Sequence, residues 1–77
     1  MKDLNDIRVF LNVAELGSFA AAARVLSMTA PSVTRAVSAL EERRGVQLFV
    51  RTTRQVSLTS AGAVYAARMR PLLQAFD

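Results

Sequence analysis

The spacing of apolar positions predicts that the chain begins with an amphipathic helix. Over residues 4–16, apolar residues recur three and four positions apart, as one face of a helix requires. Asp3 is the predicted N-cap of this first helix. Gly17 is its predicted stop, because glycine adopts the left-handed conformation at low cost. The residues that carry the pattern are Leu4, Ile7, Leu11 and Ala14, widened by Phe10 and Val13.

A second, short helix is predicted from Phe19 to about Leu26, with Ser18 as its N-cap. Its residues are almost all alanine or apolar, so both of its sides should be covered by other elements. Residues 27–29 then form a turn. The pattern therefore predicts two helices joined by a short connection, with a third helix to follow.

The third helix is predicted to begin after Thr29 and to run to about Arg44, where Gly45 ends it. Pro31 suits its first turn, where a missing N–H costs little. The helix has two chemically different faces. Its apolar stripe consists of Val33, Ala36, Val37 and Leu40. Hydroxyls and one arginine lie elsewhere on it, the chemistry that meets phosphates and base edges: Ser32, Thr34, Arg35 and Ser38. Free N–H groups at its N-terminus should also favour a phosphate.

Residues 46–50 and 55–58 have the β-branched and alternating patterns of strands, and the four residues between them predict a hairpin. Its tip carries Arg51 and Arg54. Thr59 is then predicted to cap a last helix of about 15 residues or more. Pro71 falls inside that helix, where it removes a backbone hydrogen bond, so a kink or local loosening is expected there.

Length and composition exclude several classes of protein. A chain of 77 residues forms one small domain, and the 52% apolar content, much of it alanine, favours helix packing. The absence of cysteine and histidine excludes disulfides, the usual zinc sites and histidine-based catalysis. No apolar run reaches the length of a membrane span, and no signal peptide is predicted. We therefore expect no metal, no cofactor, no catalytic residue and no membrane partner.

The charge of the chain suggests a polyanionic partner. Ten basic residues outnumber six acidic ones, for a formal charge of +4, and all the basic residues except Lys2 are arginine. Arginine offers a planar fork that matches phosphate and guanine. Nucleic acid is the usual partner of such a domain, although charge alone is equally compatible with a soluble basic domain that has no such role.

Two helices joined by a short turn and followed by a hairpin define a winged helix-turn-helix. At this level of detail the chain resembles the DNA-binding domain of LysR-type transcriptional regulators, and the resemblance covers essentially the whole chain in order. It rests on Phe10, Ala14, Gly17-Ser18-Phe19, Ala22-Ala23, Leu26, Pro31-Ser32-Val33-Thr34-Arg35, Leu40-Glu41, Gly45-Val46, Leu48-Phe49, Arg51-Thr52-Thr53-Arg54 and Leu58-Thr59-Ser60-Ala61-Gly62.

The resemblance implies a mainly α fold of three helices, a β-hairpin wing and a C-terminal linker helix. Residues 1–58 would form the DNA-binding domain and residues 59–77 the linker helix, which in the family pairs two subunits. The chain would then be part of a longer regulator whose effector domain lies outside it. The pairing surface would comprise Val64, Ala67, Arg68, Leu72, Leu73 and Phe76.

The resemblance also implies which residues contact DNA. Base contacts fall on Ala30, Pro31, Thr34 and Arg35. Phosphate and wing contacts fall on Ser18, Ser32, Ser38, Arg51, Thr52 and Arg54. The chain departs from many relatives at two of these positions. Ala30 replaces a glutamine or serine, and Thr34 replaces a serine, which affects the operator sequence rather than the function.

The implied function is sequence-specific binding of double-stranded DNA as a homodimer, at interrupted inverted repeats that begin with T and end with A. Tetramers would form in the full-length protein, effectors would act through the other domain, and the location would be the cytoplasm, at the bacterial nucleoid. Two alternatives stay open. One is a winged helix that binds proteins, although Arg35, Arg51 and Arg54 speak against it. The other is an enzyme, for which the chain offers no catalytic constellation.

Overall fold

The computed structural model describes residues 2–51 and 56–76. The elements follow the predicted order: three helices, a two-stranded antiparallel hairpin and a last helix. This confirms the predicted mainly α, winged helix-turn-helix class. The elements are α1 (Lys2–Leu16), α2 (Phe19–Leu26), α3 (Ala30–Arg44), β1 (Phe49–Arg51), β2 (Val56–Leu58) and α4 (Ser60–Phe76).

The start of α1 corrects one prediction, and its end confirms another. The helix already includes Lys2, so Asp3 lies within it and is not its N-cap. At the other end Gly17 has a φ of +67°, and its N–H donates to the carbonyl of Val13 at 2.7 Å. The left-handed glycine therefore closes α1 as predicted.

The predicted caps of α2 and α3 are confirmed by their hydrogen bonds. Ser18 Oγ accepts the N–H of Ala21 at 3.1 Å, and Thr29 Oγ1 accepts the N–H of Ser32 at 3.2 Å. Ser27 ends α2 in the left-handed conformation, with a φ of 57°, and Gly45 ends α3 at 68°. The turn between α2 and α3 is thus fixed by a cap on each side.

The hairpin is shorter than predicted. Strand β1 begins at Phe49 rather than at residue 46, and Arg51 belongs to β1 rather than to the loop. It pairs with β2 in the register Phe49 with Leu58 and Arg51 with Val56. Residues 46–48 make their hydrogen bonds outside the ladder. The N–H of Val46 donates to the carbonyl of Glu41 at the end of α3, and residues 47 and 48 bond to Glu41 and Thr59.

The core lies between α1, α2, α3 and one face of α4. Phe10 is fully buried at its centre, with its ring centroid 5.2 Å from that of Phe49 and 5.5 Å from that of Tyr65. The predicted stripe of α3 faces this core and is buried, except that Ala36 is half-buried. Each large apolar side chain removed from water in this way stabilises the fold by about 1.5–3 kcal/mol. The other buried apolar residues are Val9, Leu11, Val13, Ala22, Ala23, Leu48 and Ala66.

The last helix belongs to the core through one face, which runs from Tyr65 to Leu73. Ala66 is buried, and Tyr65, Met69 and Leu73 pack partly buried against the core cluster. The helix continues through Pro71 to Phe76. The expected kink at Pro71 stays a prediction. Across residues 2–51 and 56–76, no helix is both long enough and apolar enough to cross a membrane.

Candidate nucleic-acid interface

The face of α3 opposite its buried stripe carries the predicted reading residues. Pro31, Arg35 and Ser38 succeed each other at spacings of four and three residues, so they lie on one face, and all three are exposed. Ala30 is also exposed, at the first turn, whereas Ser32 and Thr34 are half-buried at its flanks. The fold therefore brings the six predicted α3 residues to one accessible side.

A hydrogen-bond chain connects three side chains at the start of this face. Thr29 Oγ1 donates to Ser32 Oγ at 2.8 Å, and Arg35 Nη2 donates to the same Ser32 oxygen at 3.2 Å. The guanidinium of Arg35 therefore lies along the helix, one turn back toward its N-terminus. We call these three residues the α3 polar chain.

The N-terminus of α3 differs from the expectation of several free N–H groups. Pro31 has no N–H, and the N–H of Ser32 is bound by Thr29 Oγ1. The N–H of Val33 already bonds to the carbonyl of Thr29. The helix dipole still favours an anion here, but the donors offered to it come mostly from side chains.

The base of the hairpin is fixed from two sides. Glu41 Oε2 accepts the N–H groups of Leu48 and Phe49, at 2.8 and 3.2 Å. From the other side, Thr59 Oγ1 donates to the carbonyl of Gln47 at 2.7 Å, and the N–H of Thr59 donates to the carbonyl of Leu48 at 3.0 Å. We call residues 47–49 the wing root. It connects the end of α3 to the strand that leads to Arg51.

The remaining predicted DNA contacts are described only in part. The backbone of Arg51 ends β1, next to the hairpin tip. Thr52 and Arg54 lie outside the described residues. Ser18 is half-buried, and its hydroxyl caps α2.

The predicted pairing residues of α4 do not all share one face. Val64, Ala67, Arg68 and Leu72 are exposed, with Val64 at 55% and Leu72 at 57%. Leu73 instead packs half-buried against the core of its own chain. Phe76 is the last residue of the helix. An exposed apolar strip thus follows the side of α4 that points away from the core.

Two acidic residues have roles that sequence reasoning missed. Asp6 is 8% exposed and forms an ion pair with Arg43 at 2.5 Å, and no local pattern indicates it because the two residues lie 37 positions apart. Glu41 binds the first two backbone N–H groups that lead into the hairpin, those of Leu48 and Phe49. Its one sequence signal was its position directly after the buried Leu40, at the end of the helix that precedes the hairpin. Among the described residues, no group of three potential ligands could hold a metal ion.

The turn between α2 and α3, the exposed face of α3 and the hairpin beside it define a winged helix-turn-helix domain. A family model described as "Bacterial regulatory helix-turn-helix protein, lysR family" matches residues 4–63. The chain belongs to the LysR family.

Similar proteins support this assignment. A transcriptional regulator of Xanthomonas campestris is 52% identical over 82% of this chain and 18% of its own length. The regulator CrgA of Neisseria meningitidis is 49% identical over 90% of this chain and 23% of its own length. The chain therefore spans about a fifth of the relatives that it matches.

Solved structures with the same fold include complexes with DNA. The DNA-binding domain of BenM bound to the catB site 1 DNA has a TM-score of 0.92 and 35% identity, covering 96% of this chain and 82% of that chain. Full-length CbnR in complex with its target DNA has a TM-score of 0.88 and 38% identity, covering 92% of this chain and 25% of that one.

Proposed function

We propose that this domain binds double-stranded DNA sequence-specifically as a homodimer, at an inverted-repeat operator, and that it serves a transcriptional regulator. Helix α3 lies in the major groove, and the wing lies on the backbone or in the adjacent minor groove. The observation that carries the proposal is the exposed face of α3, on which Arg35 bonds to Ser32 opposite the stripe that packs against the core. The family and the DNA complexes of similar domains support it.

The proposed roles follow from the chemistry of each position. Arg35 reads a base edge, since its fork makes two hydrogen bonds to guanine, while Ala30, Pro31 and Thr34 offer apolar contacts such as those to a thymine methyl. Phosphates are bound by Ser18, Ser32, Ser38 and Arg51, and the wing adds Thr52 and Arg54.

The exposed strip of α4 pairs two copies of the chain. Val64, Ala67, Arg68 and Leu72 lie on it, and the proposed pairing surface also includes Leu73 and Phe76 further along the helix. Since the chain spans about a fifth of its relatives, tetramer formation, effector sensing and a place at the nucleoid in the cytoplasm are proposed for the whole protein. No catalysis is proposed, because the relatives are regulators by name.

Fluorescence anisotropy over a salt series tests the proposal, with a duplex that carries an interrupted T-to-A inverted repeat and a scrambled duplex. Tighter binding to the repeat at every salt concentration, with a steep log–log slope, is expected. Arg35→Ala should reduce the discrimination by about 5- to 150-fold, equivalent to about 1–3 kcal/mol.

Arg70→Ala is the matched control, because it removes the same charge from an exposed position on α4. It should weaken binding to both duplexes alike. Absence of any salt-dependent DNA binding by the parent chain would contradict the proposed function and favour a protein-binding winged helix.

A further inference from the structure

The carboxylate of Glu41 holds the first backbone amides of the hairpin, and this contact is the starting point of the inference. Glu41 lies in the last turn of α3, is half-buried, and accepts the N–H groups of both Leu48 and Phe49 on one oxygen, Oε2. Hydrogen bonds to a charged acceptor are about twice as strong as neutral ones. A negative side chain in a basic domain is thus turned inward, onto the backbone of the wing root.

The wing root has little freedom in any other direction. Thr59 bonds to Gln47 and Leu48 from the side of α4. Gly62 lies so close beneath that a Cβ at its position would stand 2.0 Å from the carbonyl oxygen of Leu48. Glu41 bonds to Leu48 and Phe49 and Thr59 bonds to Gln47 and Leu48, so the wing root is held from α3 and from the start of α4. These contacts set the position of β1 relative to α3.

Strand β1 connects the wing root directly to Arg51. Arg51 is two residues beyond Phe49 in the same strand and pairs with Val56 in the hairpin ladder. A displacement of the wing root would therefore displace the backbone of Arg51 relative to the exposed face of α3. The exposed face of α3 and Arg51 must be correctly placed relative to each other if one DNA duplex is to contact both.

We propose that Glu41 is a positioning residue for DNA binding: it fixes the angle of the wing to α3, so that Arg51 meets the backbone while α3 occupies the groove. It touches no DNA itself. This inference rests on the proposed function, in particular on a phosphate contact by Arg51.

The test compares two neighbouring carboxylates in the DNA-binding assay. Glu41→Ala and Glu42→Ala both raise the net charge by one, and Glu42 is exposed. Added positive charge alone favours DNA. Glu42→Ala should bind operator DNA as tightly as the parent or more tightly, whereas Glu41→Ala should bind between about threefold and about tenfold more weakly. Its log–log salt slope should also fall by about one.

A double-mutant cycle with Arg51→Ala separates positioning from simple destabilisation. If Glu41 acts through the wing, Glu41→Ala should cost little further affinity once Arg51 is absent. Additive effects of the two substitutions would overturn the inference, and so would Glu41→Ala binding as tightly as Glu42→Ala. An Arg51→Ala variant that binds like the parent would remove its premise and overturn it as well.

Glu41→Gln serves as the second variant if alanine at this position prevents folding. The glutamine oxygen can still accept the two N–H groups, but without the charge, so affinity and salt slope should lie between those of the parent and those expected for Glu41→Ala. Backbone amide exchange should be faster at residues 48 and 49 in Glu41→Gln but unchanged in Glu42→Ala. Unchanged exchange and affinity in Glu41→Gln would count against the inference. A parent chain that binds no DNA would instead refute the proposed function.

Discussion

Arg35, the proposed reading side chain, depends on its neighbours. Arginine loses much rotamer freedom when it binds a base, and that loss weakens binding unless it has already occurred in the free protein. The hydroxyl of Ser32 holds the guanidinium at 3.2 Å, and Thr29 in turn donates to Ser32. For the base contact proposed above, the α3 polar chain therefore lowers the rotamer freedom that Arg35 has still to lose.

Ser32→Ala should lower the discrimination between operator and scrambled duplex by about two- to fivefold, since one exposed hydrogen bond is worth about 0.5–1 kcal/mol. The N-cap survives, because the backbone N–H of residue 32 still reaches Thr29. Anisotropy titrations with both duplexes measure the effect. Ser60→Ala, which removes another exposed hydroxyl, should leave the ratio unchanged. A full effect of Ser32→Ala in the Arg35→Ala background would contradict this account.

The ion pair of Asp6 and Arg43 is a residue-scale link between α1 and α3. Asp6→Asn should lower the free energy of unfolding by about 1–2 kcal/mol. The asparagine stays buried next to Arg43 but no longer carries the negative charge that pairs with the guanidinium. Urea unfolding followed by circular dichroism measures it. Glu15→Gln makes the same charge change at an exposed position of α1 and should shift the midpoint little. Equal midpoints for the two variants would show that the pair contributes no stability.

At the scale of elements, two glycines in this chain are needed for different reasons. Gly17 needs its left-handed backbone, with a φ of +67° and open space around it. Gly62 needs the space itself, because the start of α4 lies against the backbone of the wing root. The requirement at Gly17 is conformational and the requirement at Gly62 is steric. Substitution by alanine adds one methyl group at either position and should therefore have different effects.

Gly17→Ala should destabilise the domain by about 1 kcal/mol, through backbone strain alone. Gly62→Ala should cost about 2–4 kcal/mol or more, because the backbone of Leu48 has to move. Thermal and urea unfolding of the two variants give the comparison. Gly62→Ala should also shift the amide resonances of residues 48 and 49, which Gly17→Ala should leave in place. A Gly62→Ala variant as stable as Gly17→Ala would contradict the close approach.

Local signals explain how far the sequence predicts these elements. The caps by Ser18 and Thr29 and the stop at Gly17 were predictable, since each depends on residues within four positions of one another. The start of β1 was not predictable from local signals, because the N–H groups of Leu48 and Phe49 bond to Glu41, seven and eight residues away. The pair of Asp6 and Arg43 joins residues 37 apart, so only tertiary packing brings them together.

At the scale of the whole molecule, α4 has two different faces, one buried and one exposed. Its inner face completes the core with Ala66, and its outer face carries exposed apolar side chains. Pattern alone could not separate the two faces, because apolar residues occur on both. Leu73 packs half-buried against the core, on a different face of α4 from Val64 and Leu72.

Leu72→Glu should weaken dimer formation by roughly tenfold or more, with the fold retained, because it places a charge on the proposed pairing surface. Sedimentation over a concentration series measures the dissociation constant. Val25→Glu is the control: Val25 is 64% exposed on α2, so the same kind of change falls away from α4. It should leave self-association unchanged. If the parent and both variants sediment alike, α4 does not pair these chains.

The two faces of α3 have a consequence for evolution. The positions that maintain the fold, Val33, Val37 and Leu40, are buried, whereas Pro31, Arg35 and Ser38 contribute nothing to that core. Mutations on the exposed face can therefore accumulate under selection for a new operator with little loss of stability. After a gene duplication, one copy could come to recognise a different DNA sequence through changes at a few exposed codons of α3. The buried residues that maintain the fold would not need to change.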